Sequence, residues 1–169
     1  MISSSVKIDN VDRDIIKLIQ KNPNMTHTEI SKQVSRSQPT VGMRIRKLEE
    51  IGLLQYQAGI NIRKADMVFA KVELQTNKPE IILDFIKKCP HCLNAFRISG
   101  TSNLSILLVN SRLEHLYNIV NKHFRENPDI INVDMDIITD VVNDFVLPLD
   151  FTCHNDDCCL KGNCGMHSE

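Results

Sequence analysis

Two stretches of helical periodicity separated by a three-residue turn constrain this chain more than any other feature. Thr26-His-Thr-Glu29 has the S/T-x-x-E form of a capping box and opens a short helix that turns Ile30 and Val34 inward. Ser35-Arg36-Ser37 makes the turn. The next helix has Pro39 in its first turn, Val41, Ile45 and Leu48 along one side, and Gly52 as its stop. A helix before these follows the capping candidates Asp9 and Asn10, carries Val11, Ile15, Leu18 and Ile19 as one stripe, and breaks at Lys21-Asn22-Pro23-Asn24. Three short helices with a tight turn between the last two predict a helix-turn-helix unit.

On the third helix, the residues opposite the apolar stripe are Pro39, Met43, Arg46, Lys47 and Glu50, with Thr40, Gly42 and Arg44 flanking them. Its N-terminal part is the part that would enter a DNA major groove. Gln38, Thr40, Met43 and Arg46 are placed to meet base edges, and Arg36, Ser37, Arg44 and Lys47 to hold phosphates. A solvated basic face in a small bundle is the plainer alternative. Charge argues against it. The net charge of −1 divides into +5 over residues 1–64, with eleven Lys/Arg against six Asp/Glu, and −6 over residues 65–169, with nine against fifteen. A basic front on an acidic back points to a polyanion, double-stranded DNA, as partner of the front alone.

From Asp66 the period changes. Residues 67–75 read as a strand, 79–88 as a helix, 93–99 and 104–109 as strands joined by Gly100-Thr101-Ser102-Asn103, 113–125 as a helix and 130–142 as a last strand. The order strand-helix-strand-strand-helix-strand predicts a ferredoxin-like βαββαβ unit, so the fold class is α+β with a helix-turn-helix in front. No apolar run approaches the ~18 residues needed to cross a bilayer, and the start Met1-Ile-Ser-Ser-Ser-Val-Lys7 has no signal-peptide core. The expectation is a soluble, cytoplasmic protein with no membrane partner. No nucleophile–base pair, phosphate loop or supported pair of acids stands in the sequence, so the chain does not read as an enzyme.

Ile8-Asp-Asn-Val-Asp-Arg-Asp-Ile-Ile16 and Ser37-Gln-Pro-Thr-Val-Gly-Met-Arg-Ile-Arg-Lys-Leu-Glu-Glu-Ile-Gly-Leu-Leu54 resemble the opening and the recognition helix of the Lrp/AsnC (leucine-responsive/asparagine-C) family of transcription regulators. The resemblance spans about residues 7–147. Ser35 departs from it, because the family usually has Gly there. The resemblance implies a (winged) helix-turn-helix domain over 1–54, a linker strand over 55–65, and a ferredoxin-like domain over 66–147 that forms a homodimer and often a higher homo-oligomer, followed here by a Cys-rich tail over 148–169. It also implies a small effector, commonly an amino acid, met partly by a Gly-x-Tyr-Asp loop. The loop here, Gly100-Thr101-Ser102-Asn103, has neither the aromatic nor the acid.

The cysteines offer another input. Cys89-Pro90-His91-Cys92 is a C-x2-C at the end of a predicted helix, and Cys153, Cys158, Cys159 and Cys164 crowd the tail together with His154 and His167. In a ferredoxin-like sheet the second strand begins, and the last strand ends, at one end of the sheet but on opposite edges, about 14 Å apart at the usual strand spacing. The chain between Leu147 and Cys153 can span about 20 Å when extended, so the tail can reach Cys89 and Cys92. A thiolate-rich set selects an iron–sulfur cluster, with [4Fe–4S] as the leading expectation, or zinc. Thiol–disulfide switching and an incidental tail remain as alternatives. Asp156 and Asp157 read as solvated charges, and His27, His115 and His123 as ordinary helix residues.

Overall fold

Asp9, not Asn10, caps the first helix. In the computed structural model, which describes residues 7–149, helix α1 (Asn10–Lys21) opens with a reciprocal box: Asp12 N donates to Asp9 Oδ1 at 2.9 Å and Asp9 N to Asp12 Oδ2 at 3.1 Å. Helix α2 (His27–Gln33) opens on the Thr26–Glu29 box, with Thr26 N donating to Glu29 Oε2 at 2.7 Å. Helix α3 (Gln38–Glu50) is capped by Ser37. Together they bury Ile15, Ile19, Ile30, Val41, Ile45, Leu48 and Leu54 in one core, which contains every inward residue expected of α3.

Two helix ends in this unit use the left-handed backbone. At the end of α3, Gly52 sits at φ +69°, and the Gly52 and Leu53 amides return to the Glu49 and Leu48 carbonyls at 2.9 and 3.0 Å, a Schellman cap. At the end of α2, Ser35 occupies the same place at φ +51°, with Arg36 N donating to Ser31 O at 3.1 Å. Glycine takes this conformation freely; a side chain there costs on the order of 1 kcal/mol. The turn into α3 is therefore made by the residue anticipated for it, at some strain.

The described residues divide into two compact units between Gln57 and Ala58. The second contains β1 (Ile60–Asn61), β2 (Val68–Thr76), α4 (Pro79–Lys88), β3 (Cys92–Arg97), β4 (Leu104–Asn110), α5 (Leu113–Val120), β5 (Ile130–Ile138) and β6 (Val146–Leu147). The main sheet is antiparallel in the order β3-β4-β2-β5, the arrangement expected of a ferredoxin-like unit. One face carries Ala70, Val72, Leu74, Leu104, Ile106 and Leu108, all fully buried against Ile82 and Ile86 of α4 and Leu116, Val120 and Phe124.

Four local features differ from the sequence-based expectation. The last strand stops at Ile138 instead of running to residue 142: its pairing with β2 ends at Phe69 opposite Ile138. Helix α5 ends at Val120 and a single π-helical turn, Asn121–Arg125, follows, with Glu126 N donating to Asn121 O at 2.9 Å. The chain after β5 returns to form a two-residue ribbon, β6 on β1, in place of a long linker strand. Gly59 makes that ribbon possible, since a Cβ there would lie 2.6 Å from the Leu147 carbonyl. Strand β3 begins at Cys92 with a bulge before Asn94.

Candidate nucleic-acid interface

The outward side of α3 is built by the same periodicity that buries its inner stripe. Gln38, Pro39, Met43, Arg46 and Lys47 are exposed, and Thr40, Gly42 and Arg44 lie half-buried at the borders. The Ser37 and Thr40 hydroxyls bond each other at 2.7 Å and Thr40 N donates to Ser37 Oγ at 3.3 Å, so both residues hold the first turn of the helix in shape. Arg36 is exposed, with Nη1 donating to the Ser35 carbonyl at 2.9 Å. Of the sequence-predicted contacts, the structure thus brings Gln38, Met43, Arg46 and Lys47 together as open side chains on one helix face.

Arg44 has a different place. Its Nη1 donates to Asp12 Oδ1 at 2.7 Å and to Asp9 Oδ2 at 2.8 Å, tying the middle of α3 to the start of α1. Asp12 is buried, so the pair is screened less than a surface pair. The bonds to Asp12, then Asp9, hold the guanidinium charged beyond its ordinary range. The Asp12 amide first, and Arg44 second, keep the Asp9 carboxyl below the usual carboxylate range. A lowered carboxyl stabilises the fold above its unfolded value and loses that contribution as pH falls through its folded value, so this corner of the unit weakens only in acid. The spacing of α3 shows where Arg44 stands but carries no sign of partners 32 and 35 residues away.

Met43 is the most exposed large apolar residue of the unit, at 67%. It stands between two shallow clefts. One is lined by Lys7, Thr40, Arg44 and Lys47 among others, and the second by His27, Gln38, Gly42 and Arg46 among others. Lys7 is a cation that the helical pattern misses, because it precedes α1.

In the second unit, Asn103 is not an open loop residue. Its Oδ1 accepts from Thr76 N at 3.1 Å and its Nδ2 donates to Thr76 O at 2.7 Å, while its own amide donates to Leu74 O at 2.8 Å. The side chain acts as an extra peptide unit at the end of β2. Gly100 and Thr101 are exposed and Ser102 half-buried beside it.

The C-x2-C closes a tight turn, with Cys92 N donating to Cys89 O at 3.0 Å. Such an i to i+3 bond keeps the two Cα atoms within about 7 Å, close enough for the thiols to share a ligand. Cys89 is buried against Ile119, with Phe85 and Cys92 packed beside it. His91 is buried too, its ring 4.9 Å from that of His115. Asn110 Oδ1 accepts from Arg112 N at 2.9 Å, which turns its Nδ2 toward His91 Nδ1 at 3.2 Å. His91 Nδ1 is therefore an acceptor, and the neutral ring carries its proton on Nε2, for which no acceptor lies within reach among the described residues. This imidazole pair went unforeseen, since nothing local links residues 91 and 115. Among the described residues no third His, Cys, Asp or Glu joins Cys89 and Cys92. Cys153, His154, Cys158, Cys159, Cys164 and His167 lie outside the described residues.

A helix-turn-helix followed by a ferredoxin-like domain defines a class of transcription regulator. Residues 8–55 match a family described as "Winged helix-turn-helix DNA-binding", and residues 67–146 match "Lrp/AsnC ligand binding domain". The chain belongs to the Lrp/AsnC family of transcription regulators. It is 38% identical over 87 residues to an uncharacterized HTH-type transcriptional regulator of Pyrococcus horikoshii, PH1013, covering 50% of this chain; the chain spans about half, 52%, of that relative's length. With the HTH-type transcriptional regulator LrpC of Bacillus subtilis it shares 25% over 121 residues, 69% of this chain and 84% of LrpC. The solved structure of LrpC superposes with a TM-score of 0.69 at 22% identity, over 82% of this chain and 99% of that one. A transcriptional regulator of Neisseria meningitidis solved as an L-Met complex superposes with a TM-score of 0.70 at 18% identity, over 86% and 98% of the two chains. The family is one of transcription regulators. No helix among the described residues is long and apolar enough to cross a membrane.

Proposed function

We propose that this chain is a sequence-specific, DNA-binding transcription regulator that works as a homodimer or a higher homo-oligomer. The exposed side of α3, with Arg46 and Lys47 opposite a fully apolar inner stripe, carries the reading. A dimer presents two such helices to half-sites about one helical turn, roughly 34 Å, apart. The test is a titration of selected operator DNA with Arg46→Ala and Lys47→Ala. Each is expected to weaken binding about tenfold while leaving the unfolding midpoint unchanged. A phosphate contact lowers the salt slope by about one, whereas a base contact costs about 1–3 kcal/mol at one position only. Unchanged affinity of both variants overturns the reading.

The finer part of the proposal is the input. Cys89 and Cys92 hold a thiolate-ligated group, an iron–sulfur cluster, completed by cysteines from Cys153, Cys158, Cys159 and Cys164, with His154 and His167 as less favoured donors and zinc as the alternative occupant. Three observations support it. The turn presents two thiols together, and the Nε2–H of His91 is a buried donor in the same turn. The described chain also ends in the same unit: Leu149 packs in the cluster of Ile62, Phe69 and Val109, and Val109 N donates to His91 O at 2.9 Å. From Leu149 to Cys153 an extended chain spans about 13 Å. The clamp of Asn103 on Thr76 disfavours the competing input, an amino acid met by that loop. Protein purified without oxygen is expected to hold iron and acid-labile sulfide and to lose both on Cys89→Ser with Cys92→Ser. Zinc alone assigns the site to zinc, and metal-free protein with a response to an amino acid overturns the proposal.

A further inference from the structure

Met43 is an anomaly among polar and charged neighbours. It is 67% exposed, yet it occupies the middle of the outward side of α3, three residues after Thr40 and three and four before Arg46 and Lys47. Lys7, Thr40, Arg44 and Lys47, with Asp9 and Asp12, line the cleft on one side of it, and Gln38, Gly42, Arg46 and Glu49 that on the other. An apolar side chain in water at this place stabilises neither the unit, whose core it does not touch, nor a phosphate contact. Its thioether is long and adaptable, and it prefers an apolar partner. In the major groove the apolar group offered by a base pair is the C5-methyl of thymine.

We infer that Met43 reads a thymine methyl at the centre of each half-site. The inference rests on the reading that α3 enters the major groove. The open cations Arg46 and Lys47, one turn on from Met43, anchor the helix, and the thioether discriminates T·A from the other pairs by burying that methyl. Burial of one methyl group corresponds to about fourfold in affinity.

The experiment selects tight-binding duplexes from a random pool with the full chain, then replaces each half-site thymine in turn by deoxyuridine, which removes only the methyl. At one thymine per half-site the substitution is expected to weaken wild-type binding about fourfold. At that same position Met43→Ala is expected to bind both duplexes alike, and Met43→Leu to keep a preference for thymine. Two outcomes overturn the inference alone: no thymine whose methyl matters, or an equal loss in wild type and Met43→Ala. Selection that enriches no sequence, with Arg46→Ala indifferent, overturns the DNA-binding reading and the inference with it.

Discussion

Replacing Arg44 by Ala is expected to destabilise the helix-turn-helix unit by about 2 kcal/mol, although the residue sits on the border of the surface that would face DNA. The physical reason lies in Asp12. Its carboxylate is buried, with one oxygen taking Arg44 Nη1 at 2.7 Å and the other the Asp9 amide at 3.1 Å. Removing the guanidinium leaves a buried charge with half of its compensation, and such a loss exceeds that of an exposed ion pair several-fold. The value is held to about 2 kcal/mol because Asp9 and part of Arg44 still reach water. Chemical denaturation of the full chain measures it. A cycle with Asp12→Asn separates the causes: in that background Arg44→Ala costs much less if the buried charge is responsible. Equal losses in both backgrounds would place Arg44's contribution in its stem packing. Any fall in DNA affinity for Arg44→Ala is then expected to disappear at temperatures where the unit is fully folded, which a lost phosphate contact would not do.

How far the sequence makes this molecule legible depends on the range over which each feature is determined. Asp9 as one of two cap candidates, the capping box at Thr26, the stripe of Val41, Ile45 and Leu48, and the Gly52 stop depend on neighbours within a turn or two, and all stand in the sequence. The strand order is the one expected of the ferredoxin-like unit that the order strand-helix-strand-strand-helix-strand predicts. What escapes is set by distant partners. Strand β5 ends at Ile138, its last residue paired with β2, a limit that Val141 and Val142 do not reveal. The β1–β6 ribbon joins residues more than eighty apart and depends on Gly59. Arg44 looks like its neighbours Arg46 and Lys47 until Asp9 and Asp12 are brought against it. The π-helical turn after α5 leaves Phe124 on the same side as Leu116 and Val120, so the apolar spacing hides it.

Asn103 shows the same limit at a residue with functional weight, and Asn103→Asp carries the second large expected effect, a destabilisation of about 2 kcal/mol at pH 7. Read as sequence, residue 103 is an acid of the effector loop turned into an amide. In the structure the amide is what the position requires, because it must donate to Thr76 O at 2.7 Å and accept from Thr76 N at 3.1 Å. A carboxylate keeps the second bond and replaces the first by oxygen facing oxygen, leaving a partly buried carbonyl unmet. The pH dependence follows with a definite sign. Once protonated, the carboxyl that Asn103→Asp introduces can donate to Thr76 O again, so it is raised in the folded state relative to the unfolded chain. The variant therefore approaches wild-type stability below the unfolded value, near pH 4, and loses it as pH rises through the raised folded value. Denaturation of both proteins between pH 4 and pH 8 measures the difference, which is expected to grow with pH. A constant difference would remove the hydrogen-bond explanation. The same variant probes the input: if the clamp is structural, restoring the acid creates no response of DNA binding to amino acids, and a response that appears would return the loop to effector recognition.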